Sequence, residues 1–87
     1  MTDPLIAELR GRITAADRAI LTAVNRRLEL VDQLRRHKES VGLDFVDPER
    51  ERRLVEELRA ENRGPLSDEG VEHFFQELLA LTKRELR

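Results

Sequence analysis

The sequence predicts an all-α fold of three helices, one long and two shorter, across a single domain spanning residues 1–87. Three observations predict it. Apolar residues recur at helical steps of three, four or seven, and nowhere alternate as in a strand. Each of the three prolines stands at or just before a helix start. Charged residues make up 39% of the chain and aromatic residues only 3%, all Phe, against about 25% charged in an average globular protein. That balance suits long helices with a solvated face and little private core.

The first helix is expected from about residue 4 to 40. Asp3-Pro4 reads as an N-cap followed by a first-turn proline, and Gly42 stands where the helix should stop. Its apolar line runs through Ile6, Leu9, Ile13, Ala16, Ile20, Val24, Val31 and Leu34. The second helix is expected from about 48 to 62, opened by Asp47-Pro48 and closed near Gly64. The third is expected from about 67 to 86, with Ser67 as cap and Asp68 and Glu69 favoured by the positive end of the helix dipole.

The length of the first helix carries a second expectation. About 37 residues at 1.5 Å each span about 55 Å, whereas a compact chain of this size has a radius of gyration of about 12 Å. An apolar line that long overhangs its own domain. A second copy lying along it is the economical cover, so an obligate homodimer is expected. The alternative is a monomeric three-helix bundle with the first helix broken near Gly11.

Composition removes several function classes. The chain has 87 residues, 16 Lys and Arg against 18 Asp and Glu, and a net charge of −2. A pI near 5.7 argues against nucleic-acid binding, which usually carries a basic excess. There is no apolar run near the about 20 residues of a membrane span. With no Cys, disulfide scaffolds and thiolate zinc sites are out. His37 and His73 lack companions at metal-site spacing and are expected at the surface. No phosphate loop and no nucleophile set is present, so no cofactor and no metal are expected. No apolar core follows the N-terminus as in a signal peptide, and a cytoplasmic location is expected.

A few charges stand out. Arg27 and Lys38 lie about three turns apart on one line of the first helix, about 16 Å along the axis, with Val31 and Leu34 between them. A cation at each end of an apolar line suits a small, doubly anionic ligand; the alternative is that both side chains snorkel to solvent. Arg10 lies on another line about 25 Å from Arg27, so it joins such a pocket only in the partner chain of an antiparallel dimer. The segment Asp47-Pro48-Glu49-Arg50-Glu51-Arg52-Arg53 reads either as a solvated helix start or as one that turns Arg50 and Glu51 inward with Asp47 near them. Thr82 falls in the apolar run that begins at Phe74, where a hydroxyl is more often bonded back to its own helix than to a ligand.

Taken together, these residues resemble the all-helical (type II) chorismate mutase family. The match runs from Leu5 to about Leu86: Leu9-Arg10-x-x-Ile13-x-x-x-Asp17, then Ile20-Leu21, Arg26-Arg27 and Lys38, then Asp47-x-x-Arg50-Glu51, and finally Phe75 and Thr82. No one element is specific; the ordered set in a chain of this length is. The resemblance implies an intertwined homodimer with two sites, each completed by Arg10 of the partner chain. It implies that Arg27 holds a substrate carboxylate and that Lys38 reaches a carboxylate and the ether oxygen. Asp47, Arg50 and Glu51 would lie around the ring, and Thr82 where members often have Ser. The implied reaction is the rearrangement of chorismate to prephenate on the way to Phe and Tyr, a unimolecular shift that needs no nucleophile, metal or redox cofactor. Lys38, Arg27 and Glu51 are the implied catalytic residues.

One position departs from the family. Many members carry Gln, or sometimes Glu, four residues after the Ser or Thr, where it meets the ether oxygen. Here that residue is Leu86, which donates nothing. Either Lys38 acts without that partner, or Glu85 takes over through a shift of the helix, or another protein completes the site. Some short members of the family are activated by docking on the first synthase of the shikimate pathway, which makes such a synthase a candidate partner. Close relatives on the same fold eliminate pyruvate from isochorismate or rearrange 4-amino-4-deoxychorismate. A non-enzymatic helical dimerisation module explains the apolar seam, but not Arg27 and Lys38 on one line. A helix-turn-helix DNA-binding protein fits neither the longer connections nor the charge.

Overall fold

A computed structural model describes residues 3–86 and contains three α-helices: α1 at Pro4–Ser40, α2 at Pro48–Glu61 and α3 at Asp68–Glu85. No strand occurs among the described residues. The chain divides into two compact units, Met1–Gln33 and Leu34–Arg87.

The caps are those the sequence predicts. Asp3 Oδ1 accepts from the backbone N–H of Leu5 at 2.8 Å and of Ile6 at 3.3 Å. Asp47 accepts from Arg50 N at 3.1 Å, and Ser67 Oγ from Gly70 N at 3.0 Å. Each side chain satisfies donors that have no partner inside the helix.

From Pro4 onward the first unit is helix, and Gly11 does not interrupt α1. No residue of α1 is buried. Leu5, Ile6, Leu9, Ile13, Ile20, Leu21 and Leu30 are 44–62% exposed. Burying one such side chain is worth about 1.5–3 kcal/mol, and helices in water depend mostly on packing of their apolar face. Ile6, Leu9, Ile13 and Ile20 of the expected apolar line are thus exposed, and nothing among the described residues of the first unit covers them.

In the second unit, α1 ends in a Schellman arrangement. Gly42 adopts φ 75°, the N–H of Leu43 bonds to Lys38 O at 2.8 Å, and that of Gly42 to Glu39 O at 3.3 Å. A positive φ suits Gly because it has no Cβ to clash. α2 and α3 pack on each other. The core of this pair lies along α3, where Val71, Leu78 and Thr82 are buried and Phe75 is half-buried, all on one helical line. α2 offers Leu54, Val55 and Leu58, each half-buried. Asn62 ties the connection between the two helices. Its backbone N–H bonds to Leu58 O at 3.0 Å, its amide donates to Leu66 O at 2.7 Å, and its side-chain oxygen accepts from Gly64 N at 3.1 Å.

The cap at Ser67 starts the helix that carries the buried line. Ser67→Ala should lower stability by about 1 kcal/mol, read as a lower midpoint in urea with an unchanged slope; an unchanged midpoint would show the cap to be redundant.

Candidate functional site

In the second unit, Lys38 is held at both ends. Its carbonyl accepts from Leu43 N at 2.8 Å in the helix stop. Its ammonium donates to Phe45 O, in the α1–α2 connection, at 3.3 Å. The side chain is half-buried, and no carboxylate among the described residues pairs with it. The Schellman stop brings the loop back over the last turn of α1, so the backbone that ends the helix also supplies Lys38 with its acceptor. A half-buried cation with only a neutral partner gains more from an anion than an exposed one does, because solvent screens it less.

α2 presents the Asp47–Arg53 segment with two distinct faces. Outward, Arg52 donates to both oxygens of Glu49, at 3.1 and 2.6 Å, and to Glu56 at 2.5 Å. These hydrogen bonds and the adjacent positive charge hold the Glu49 carboxyl below its ordinary value and raise the guanidinium of Arg52. This is the solvated helix start. On the other face Glu51 is half-buried, and its carboxylate meets Lys83 of α3 at 3.0 Å. Asp47 is spent on capping, its Oδ1 accepting from the N–H of Arg50, whose side chain is exposed. So α2 turns Glu51 inward and leaves Arg50 on the surface of the chain.

A groove of about 310 Å³ runs between α2 and α3, floored by Val55 and Leu79. Its lining carries three carboxylates, Glu51, Glu56 and Glu72, against two cations, Arg52 paired with Glu56 and Arg59 with Glu72 at 3.8 Å. It offers no excess positive charge to a dianion.

Thr82 is only 4% exposed, and its hydroxyl donates to Leu78 O at 2.8 Å. Leu86 caps α3, its N–H bonded to Thr82 O at 3.0 Å. That bond sets Leu86 one turn beyond Thr82. Glu85 is exposed.

In the first unit Arg10 is exposed and Arg27 half-buried. The second brings Lys38 against the loop before Asp47, and Glu51 against α3. His37 and His73 are exposed, and no group of three metal-binding side chains occurs among the described residues. No described helix is long and apolar enough to cross a membrane. Two participants were not expected from the sequence, the Phe45 carbonyl and Lys83. A backbone acceptor has no sequence signature. Lys83 sits beside Thr82 on a polar edge of α3, which marks it as accessible but not as a partner of α2.

The sequence profile of the family described as chorismate mutase type II matches residues 9–86. Among solved structures, form II of the chorismate mutase from Thermus thermophilus is 33% identical, with 91% of this chain and 90% of that chain covered and a TM-score of 0.88. Form I of the same enzyme is 34% identical, with 88% and 96% covered and a TM-score of 0.87. No curated protein matches the chain by sequence.

The Glu49 shift has a definite sign. A carboxyl that binds its proton less readily when folded adds stability above its unfolded pKa, and that contribution is lost as pH falls through the folded value. Site-resolved NMR titration should give Glu49 a midpoint below 4.5, and Arg52→Gln should return it toward that value. A midpoint that ignores the substitution would contradict the assigned cause.

Proposed function

The chain belongs to the type II chorismate mutase family and is an isomerase of that kind, and we propose that its rearrangement of chorismate to prephenate is carried by Lys38, Arg27 and Glu51 in a site shared between two copies. In this reading the two units act as one domain. The observation that supports it most is Lys38, a half-buried ammonium whose acceptor is a neutral carbonyl.

The reaction breaks the ether C–O bond and forms a C–C bond within one molecule. It asks the protein for a reactive pose and for positive charge where negative charge grows. Arg27 holds one substrate carboxylate, and Arg10 of the partner chain holds the molecule from the other side. Both are guanidinium groups, whose planar donors match a carboxylate. Together they fix the enolpyruvyl arm over the ring, which removes rotational freedom before the bond changes. Lys38 exchanges the Phe45 carbonyl for the ether oxygen. Its bond to that oxygen strengthens as the C–O bond breaks, so it stabilises the transition state more than the bound substrate. Glu51 accepts from the ring hydroxyl, with Asp47 and Arg50 around the ring and Thr82 at the inner wall.

The homodimer follows from the first unit. Its exposed apolar line needs a cover, and a second copy supplies an identical one while delivering Arg10. Leu86 leaves the ether oxygen without a second donor, so Lys38 carries that role alone in the isolated dimer. This is the reason to propose a shikimate-pathway synthase as an activating partner that completes the end of α3. Such a synthase should raise kcat/KM when added to the purified protein; an unchanged value would remove it as a partner.

Lys38→Ala should lower kcat by about a hundred- to a thousand-fold while circular dichroism and dimer mass stay those of the parent. Full activity in a folded mutant would exclude Lys38 from the ether oxygen.

A further inference from the structure

The geometry points to Lys83 as a positioning residue for Glu51, an inference that rests on the chorismate mutase reading of this site. The Lys83 ammonium lies 3.0 Å from Glu51 Oε1 and 3.1 Å from Oε2. One cation straddles both oxygens. The two residues are 32 positions apart in the chain, so the contact joins the first turn of α2 to the last turn of α3. It differs in kind from Arg52–Glu49, which lies within one turn of a single helix with both side chains more than half exposed. Glu51 is 27% exposed and Lys83 42%.

Two consequences follow for the reaction. The first is orientation. Glu51 has several rotatable bonds and, alone, would sample them; a cation anchored on the facing helix holds the carboxylate in one place. Each carboxylate oxygen has more than one lone pair, so both remain able to accept from a hydroxyl. The second is charge. A bare carboxylate beside a dianionic substrate repels it. Lys83 offsets that charge, so Glu51 keeps its acceptor role without opposing binding. Lys83 is also three residues before Leu86, and such pairs are neighbours on a helix surface. The last turn of α3, which has lost a donor at Leu86, retains a cation through Lys83.

A double-mutant cycle on the full-length protein tests this, with kcat and KM for chorismate and thermal unfolding measured on the parent, Lys83→Met, Glu51→Gln and the double mutant. Lys83→Met should lower kcat/KM about tenfold, with Lys83→Arg staying within about twofold of the parent because it restores the cation. In the Glu51→Gln background, Lys83→Met should change the rate little, since the residue it positions is gone. Lys83→Gln carries the same expectation should Lys83→Met fail to fold. Equal losses in both backgrounds would overturn the inference, because Lys83 would then act on substrate directly. A lowered unfolding temperature with parental kcat and KM would also overturn it, leaving the pair a strut between α2 and α3. A parent that does not consume chorismate would overturn the activity reading itself, and this inference with it.

Discussion

An apolar line along α1 that its own unit does not cover is the constraint on which the rest depends. Seven large apolar side chains between Leu5 and Leu30 stand 44–62% exposed, in a unit whose described residues form one helix and its cap. At about 1.5–3 kcal/mol for each side chain fully buried, covering what remains exposed is worth an amount comparable with the about 5–15 kcal/mol that separates a folded domain from its unfolded chain. The chain is therefore built to be completed by another surface. In the proposed dimer a second copy completes it with an identical apolar line and brings Arg10 to the site, so that the proposal ties stability and catalysis to one association.

The second unit shows how a chain that is nearly neutral serves an anionic substrate. Most of its ion pairs are exposed and lie within one turn of helix, as in Arg52–Glu49 and Arg52–Glu56. Such pairs contribute little to stability and chiefly keep the surface soluble. Lys38 is placed differently, withdrawn from solvent and anchored by the same helix stop that sends the chain toward α2. The paired cations of the α2–α3 groove make the contrast plain: where each cation has a carboxylate, no positive field is left for a ligand. A net charge of −2 thus conceals the placement of Lys38, which no carboxylate among the described residues pairs with.

The helices were legible because their ends are written locally. A cap, a proline and a glycine each act within one turn, so Asp47-Pro48, Ser67 and Gly42 set boundaries without reference to the rest of the molecule. The inward turn of Glu51 was one of two readings that the Asp47–Arg53 segment left open, and that reading also turned Arg50 inward, where the structure leaves it exposed. Thr82 bonds to its own helix at Leu78, as its apolar surroundings suggest. What could not be read was long-range. The contact between Lys83 and Glu51 depends on how α2 and α3 slide past one another, and the Lys38 acceptor is a backbone carbonyl in a loop. Neither position is marked by residue type. Of the residues assigned to the site, Lys38 and Glu51 are half-buried with defined partners and Asp47 is engaged as a cap, while Arg10 and Arg50 are exposed.

The central claim is that each active site takes Arg10 from one chain and Lys38 from the other. It is tested most directly by unfolding and refolding Arg10→Ala and Lys38→Ala chains together in equal amounts. Random pairing makes half the dimers mixed, and each mixed dimer holds one site with both residues intact. The mixture should recover about a quarter of parental chorismate mutase activity, although each mutant alone is nearly inactive. A mixture of folded dimers no more active than its two components would contradict the shared site.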